Sequence, residues 1–417
     1  MTTDKHNKRP NVPPLRFPEF ADEWKRTSIG ECCSSLEYGM NAAAKEYDGR
    51  NKYIRITDID ETTSKYCNDD VVSPSGELED KYLVRENDIL FARTGASVGK
   101  TYHYDISDGK LYFAGFLIRG NVLSCYNSKF VFYQTQLPRY EKWVKVMSAR
   151  SGQPGINSQE YEGFNLFMPT RFEQDKIESF ISLLDHRIEV QSGLIEDLKN
   201  VKKHLMEQLF CQPKEKTPRL RLGGMSGEWK RVRLCDVVER VTTRNKTNEC
   251  TRVLTIAAQY GLIDQQEFFN KQIASSDLTT YYLLHRGDFA YNKSYSSDYP
   301  WGAVKRLDNY DEGVLSSLYI CFCPNHSIDS DFLRHYFEST KWYRGISEIS
   351  GEGARNHGLL NMSVDDYFNT MHRFPSIEEQ TCISHVLNTF DRKVLIEESI
   401  LEKLRRQKSY LLNNMFI

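Results

Sequence analysis

No stretch of this chain approaches the roughly 18 consecutive apolar residues of a membrane helix, in keeping with a mean hydropathy of -0.57. The opening MTTDKHNKRPNVPP has no apolar signal-peptide core, so a cytoplasmic protein that does not engage a membrane is expected. Charge of one sign is lacking too. The 55 basic and 57 acidic residues leave a net charge of -2, and any polyanion-binding surface must come from local segregation of charge. Ten cysteines are present, with Cys32 beside Cys33 and Cys321 near Cys323, but there is no C-x-x-C and no matching histidine spacing. They read as reduced thiols, mostly buried.

Catalytic motifs are also missing. Gly95-Ala-Ser-Val-Gly99-Lys100-Thr101 nearly spells a P-loop, but three residues separate its glycines where four are needed, and the strand-like TYHYDISDGKLYF follows where a helix should begin. There is no glycine-rich cofactor turn with an Asn/Asp-Pro-Pro-aromatic string for amino methylation. Asp58, Asp60 and Glu61 form an acidic cluster without the neighbouring lysine pattern of a metal-dependent nuclease, and read as loop residues. No G-x-S-x-G or H-E-x-x-H occurs. Catalysis and a metal site within this chain are therefore not expected.

What the chain has is material for cores and a repeat. Its 417 residues include 22 Phe, 24 Tyr and 5 Trp, enough for two to three domains at about 150 residues each. LRFPEFADEWKRTSIGE at Leu15 returns as LRLGGMSGEWKRVRLCD at Leu220, placing Trp24 on Trp229, 205 residues later. KYLVRENDILFAR matches TYYLLHRGDFAYN, with Asp88 on Asp288, each a turn feeding a strand. Lys142-Trp143 falls on Lys341-Trp342 and Ser151-Gly152 on Ser350-Gly351, while PTRFEQ at Pro169 returns as PSIEEQ at Pro375. From there the offset stays at 206 to Phe210 and Phe416. A body of about 150 residues and a length-constrained tail of about 40 are written twice.

Each tail reads as one long helix. Ile177, Ile181, Leu184, Ile188, Ile195, Leu198, Leu205 and Leu209 step by fours and threes, with Gln191 and Lys202 in the two remaining slots. Ile383, Leu387, Phe390, Val394, Leu401, Leu404, Leu411 and Met415 repeat the steps, with Glu397 and Lys408 in the same slots. Proline and early acidic residues mark both starts. Forty residues make a rod of about 60 Å, well beyond the roughly 8 to 20 residues of an ordinary amphipathic core helix, which is the bland alternative. The two stripes are expected to pack on each other antiparallel, holding two bodies apart like a ruler. With six basic and eight acidic residues in 171–210 and six of each in 377–417, the rods lack a phosphate-tracking stripe and read as protein-binding surfaces.

Recognition is what remains for the bodies. RYEKWVKVMSAR carries Arg139, Lys142, Lys145 and Arg150 interleaved with Tyr140 and Trp143 and leads into Gly152 and Gln153, a composition able to grip a phosphate backbone. Its bland alternative is a core helix with solvated charges. Arg93, Thr94, Gly95, Ser97 and Lys100 form a small-residue loop suited to base edges and phosphates, or an ordinary hairpin loop. The second body offers Asn292, Lys293, Ser294, Tyr295 and Arg355 at the corresponding places. Different loops on a repeated frame point to two different sequences being read.

The paired Glu-Trp-Lys-Arg openings, the NDILFARTGASVGK string, the EGVLSSLYICF strand and both P-x-x-x-E-Q entries resemble the specificity subunit of type I restriction-modification enzymes over essentially the whole chain. The resemblance implies an α+β fold with two similar mixed α/β target-recognition domains separated by two long antiparallel helices in a pseudo-two-fold arrangement. The expected boundaries are an arm at 1–14, domains at 15–170 and 213–376, and helices at 171–212 and 377–417. It implies a non-catalytic chain that reads a bipartite asymmetric site on double-stranded DNA, joined by two adenine methyltransferase subunits and by restriction/translocase subunits. S-adenosylmethionine, ATP and magnesium would belong to those partners. Carried onto this chain, the family's recognition loop falls on Arg93, Thr94, Gly95 and Lys100, with Gly152 and Gln153 at the polar turn; the second body lacks A-R-T-G. The alternative of another class is a protein-interaction scaffold that never touches DNA.

Overall fold

The matched openings of the repeat form matching strands. In a computed structural model describing residues 11–149, 153–257, 260–269, 277–350 and 359–417, β1 (Lys25–Ser28) pairs antiparallel with a strand just before the first long helix, Asn165–Met168. Between them lie β2 (Cys33–Tyr38), β3 (Asp88–Ala92), β4 (Thr101–His103) and β5 (Leu117–Val122), with Asn165–Met168 as β6. β2, β5, β3 and β4 lie side by side in that order, all antiparallel. The second copy runs β7 (Lys230–Arg233), β8 (Val238–Arg240), β9 (Phe289–Asn292), β10 (Ala303–Arg306), β11 (Ile320–Pro324) and β12 (Met371–Phe374). β7 pairs with β12, and the four-stranded order is β8, β11, β9, β10. The topology repeats with the sequence.

The run DILFA is buried at all five positions, Asp88 included, because both faces of β3 are covered. Ile89 and Phe91 join one core with Trp24, Phe130 and Ile177, while Leu90 and Ala92 join another with Tyr102 and Leu117. In β9, Phe289 and Tyr291 face the core around Trp229, and Ala290 faces one with Leu254 and Leu315. The string EGVLSSLYICF, read as one strand, is two: Glu312–Leu315 and β11, joined by a turn in which the Tyr319 N–H donates to the Ser316 carbonyl at 3.1 Å. The Ser316 hydroxyl accepts from the Leu318 N–H at 3.4 Å, a local bond that favours the turn over continued pairing.

Helices α1 (Ser128–Gln134), α2 (Pro138–Met147) and α3 (Arg171–Leu209) follow the first sheet, and α4 (Ser330–Glu338), α5 (Tyr343–Ile349) and α6 (Ile377–Met415) the second. The P-x-x-x-E-Q entries are structural. Gln174 accepts from the Asn127 N–H at 2.9 Å and donates to the Pro169 carbonyl at 3.0 Å, bolting the start of α1 to the start of α3. Gln380 does the same with Asp329 and Pro375. Glu173 takes a bidentate hydrogen bond from Arg16, at 2.7 and 2.8 Å, and Glu379 pairs likewise with Arg221. The arginine of each opening and the glutamate of each entry are thus partners of one another.

The chain divides into two compact units, residues up to 192 together with 400–417, and residues 193–399. The division falls within both long helices. In the first unit Leu404, Leu411, Met415 and Phe416 pack into the core of Trp24, Ile177 and Ile181, with the Phe416 ring stacked on Phe130 at 5.0 Å. In the second, Leu209 and Phe210 pack with Trp229, Ile383 and Leu387. In each unit the end of one helix lies on the beginning of the other, so the segments run antiparallel. Every heptad position read from the sequence is buried or half-buried. No described helix is long and apolar enough to cross a membrane. All ten cysteines are free; Cys32, Cys33, Cys211, Cys250 and Cys321 are buried and Cys125 and Cys235 exposed, so burial is less general than expected.

Candidate nucleic-acid interface

Arg93 to Lys100 form the connection from β3 to its neighbour β4. The chain needs left-handed backbone at Gly95 (φ +70°) and Gly99 (φ +87°), where only glycine is unstrained. The Gly99 N–H closes the loop on the Ala92 carbonyl at 2.9 Å, and Thr101 opens a strand, so no helix N-terminus stands there for phosphate.

This loop and the polar turn after α2 come together. The Ile156 N–H donates to the Arg93 carbonyl at 2.9 Å, the Gly95 N–H to the Pro154 carbonyl at 3.0 Å, and Thr94 bridges Gly155. Gln153 is exposed, its amide nitrogen beside Gly95. In the second unit the Leu360 N–H donates to the Lys293 carbonyl at 3.0 Å and Ser294 bridges Leu359. Two loops distant in sequence are joined at the same end of the sheet in both units.

The side chains meet different fates. The Arg93 guanidinium lies 4.8 Å over the ring of Tyr38, a residue the sequence did not single out because 55 positions separate the two. Burial would raise the Tyr38 phenol, but hydrogen bonds from the Ser158 hydroxyl and N–H, with Arg93 nearby, hold it below its ordinary range. Ser97 is half-buried. Lys100 is engaged: it donates to the Ile59 carbonyl at 3.3 Å and pairs with Glu61 at 3.0 Å. That contact, with the hydrogen bonds of Asp58 to Arg55 and of Asp60 to Thr62 and Thr63, accounts for the acidic cluster.

The basic run splits. Tyr140 is buried and Trp143 packs among Tyr140, Tyr161 and Phe164, so these aromatics belong to the core rather than to a stacking platform. Arg139 lies over Phe164 and Phe167 and donates to Gln134 at 2.5 Å; burial pushes it down to about 10. Lys142 and Lys145 are exposed on α2. Asn292 ends β9 and accepts from the Ser294 N–H at 2.9 Å; Lys293 is half-buried, Ser294 exposed, and Tyr295 packs against the core. Arg150, Gly152 and Arg355 lie outside the described residues.

Residues 21–200 match the family described as the type I restriction modification DNA specificity domain. The type I restriction enzyme MjaVIII specificity subunit of Methanocaldococcus jannaschii is 22% identical over 419 residues, covering 96% of this chain and 92% of its own length. The chain is thus similar to type I specificity subunits, by the family model over residues 21–200 and by the relative over nearly its whole length. Two solved structures share the fold. The S subunit of a type I restriction-modification system from M. genitalium aligns with a TM-score of 0.57 at 15% identity, over 97% of this chain and 99% of its own. A chain from a study of complex assembly and conformational transition in the type I R-M system gives 0.52 at 14%, over 94% and 97%.

One cluster has metal-ligand spacing among the described residues: His335, Glu338 and Asp391. Lys202 reaches Glu338 at 2.9 Å and Asp391 at 2.5 Å, and Arg334 reaches Asp391 at 2.9 Å. Two cations already neutralise the two carboxylates. Burial works against the Glu338 charge, yet His335, Lys202 and Arg334 hold it far below the usual carboxylate range. The arrangement is that of an ion-pair network.

Proposed function

We propose that this chain is the DNA-reading subunit of a type I restriction-modification complex and that each unit reads one half of a bipartite, asymmetric site on double-stranded DNA. The observation that carries the reading is the junction of two loops at the same end of the same four-stranded sheet, built twice with different residues. Arg93, Thr94, Gly95, Ser97, Gln153 and the exposed Lys142 and Lys145 would serve the first half-site, with Asn292, Lys293, Ser294 and Tyr295 serving the second. Phosphate contacts would set register and base-edge contacts would specify. Lys100 would act by holding the 59–61 loop in place.

The chain itself supplies no catalytic group in this reading. Methylation of target adenines, with S-adenosylmethionine, and ATP- and magnesium-dependent cleavage would fall to two methyltransferase subunits and to restriction/translocase subunits in the cytoplasm. The test is to replace residues 220–376 with the second body of a relative and map methylated adenines in host DNA by long-read sequencing. One half-site should change and the other persist; a change in both halves, or in neither, overturns the reading. A salt-dependent duplex shift assay with the methyltransferase present separates it from a scaffold that never touches DNA.

A further inference from the structure

Both units expose one large apolar side chain at the same turn. The Leu117 N–H donates to the Ala114 carbonyl at 2.8 Å, and the Tyr319 N–H to the Ser316 carbonyl at 3.1 Å. The third residue of each turn is Phe116, 58% exposed, or Leu318, 79% exposed. Gly, Asn, Asp and Ser are the usual occupants of such turns, so an apolar residue there runs against local preference and gains nothing from burial. The rest of the two turns differs, Ala-Gly against Ser-Ser. Scattered exposed apolar residues need no explanation; recurrence at one structural position, in repeats whose loops have diverged, does.

Their neighbours recur as well. Ala92 pairs with Leu117 across β3 and β5, and the next residue, Arg93, donates its N–H to the Phe116 carbonyl at 3.0 Å. Tyr291 pairs with Ile320 across β9 and β11, and the same register continued by two residues sets Lys293 opposite Leu318. A cation therefore stands beside each exposed apolar residue, at the loop junction assigned above to DNA. Among the described residues neither cation forms an ion pair.

We propose that Phe116 and Leu318 are wedges, each inserting between two stacked base pairs of its half-site while Arg93 or Lys293 meets the phosphate alongside. Apolar side chains that part a base step gain stacking and dispersion contacts, and offset the unstacking through the protein surface a bent duplex can reach. The inference rests on the DNA-reading assignment and adds a local distortion to it.

The test uses the full chain with its methyltransferase partner and a duplex carrying the mapped site. 2-Aminopurine is placed at successive positions other than the methylated adenines. The intact complex should brighten the probe at one step in each half-site. Phe116→Ala should abolish that signal in one half only and weaken binding by about tenfold; Leu318→Ala should do so in the other half, and Phe116→Trp should preserve the signal. Unchanged signals in the alanine variants, weakened binding with the signals intact, or loss of methyltransferase association without DNA would each overturn the wedge while leaving the DNA-reading assignment standing. If the intact complex shows no site-specific binding, that assignment falls and the wedge with it.

Discussion

Lys408 Nζ lies 2.6 Å from Asp185 Oδ1, and Tyr133 donates to the same carboxylate at 2.7 Å. The second unit holds its counterpart, Lys202 on Asp391, where His335 stands near the carboxylate as Tyr133 does in the first. The polar heptad slots filled by lysine are therefore pairing positions on the antiparallel partner, each a fixed register mark.

These lysines should contribute unequally. Lys408→Met should cost about 1 kcal/mol, as expected for a half-exposed pair. Lys202→Met should cost more, about 2 kcal/mol, because Glu338 and Asp391 both lose a cation in a partly buried network. Urea denaturation of the two variants checks the order, and equal losses would contradict the network.

The Arg16 and Glu173 side chains are only 9% and 1% exposed, and Arg221 and Glu379 repeat the pair. Truncating one partner leaves an uncompensated buried charge. Arg16→Ala and Arg221→Ala should each lower stability by about 3 kcal/mol, read as a drop in Tm; a loss below about 1 kcal/mol would show that water replaces the guanidinium.

His372 accepts at Nδ1 from the Tyr336 hydroxyl, 2.9 Å away, and donates at Nε2 to Thr370 Oγ1 at 2.8 Å, because Thr370 itself donates to the Tyr367 carbonyl. The neutral ring is fully satisfied. Burial pushes His372 down to about 4, and burial with Lys129 nearby does the same to His103. With folded values below the unfolded value of about 6.5, the stability they contribute is complete above that pH and drains away as pH falls toward 4. The slope should reach about 1.4 kcal/mol per pH unit for each proton taken up on unfolding. His372→Gln should flatten the dependence between pH 6.5 and 4, measured by denaturant melts at stepped pH, and an unaltered slope would remove His372 as a cause.

Two glycines close the candidate reading loops. A Cβ on Gly302 would sit 2.2 Å from the Asn292 carbonyl oxygen at φ +77°, and one on Gly99 would sit 2.5 Å from Val144 Cγ1 at φ +87°. Backbone cannot yield as a valine can, so Gly302→Ala should destabilise by about 2–3 kcal/mol and Gly99→Ala by about 1–2. In a methylation assay each should impair one half-site alone; impairment of both by either variant would disprove the division of labour.

Much of this was legible in the chain itself. The constant offset of 206 from the P-x-x-x-E-Q entries onward located both long helices, and the stepping of apolar residues named the faces they bury. The site was less legible. Tyr140 and Trp143 promised a stacking surface and proved to be core, because a half-polar helix shows the same composition whichever side its aromatics take. Tyr38 and Gly155 reach Arg93 and Thr94 through strand pairing and a bridge, and neither leaves a local mark.

Periodicity and repetition are properties of residues close in sequence, and from them the amino-acid order alone determined two copies of one body, two heptad rods and the lack of catalytic motifs. Which residues of distant segments share a surface was decided only on folding. The junction of residues 93–100 with 153–156, the capture of Lys100 by Glu61 and the placement of Phe116 beside Arg93 depend on strand register and on side-chain competition for partners. Those are set by the free energy of the whole core, which no local spacing encodes.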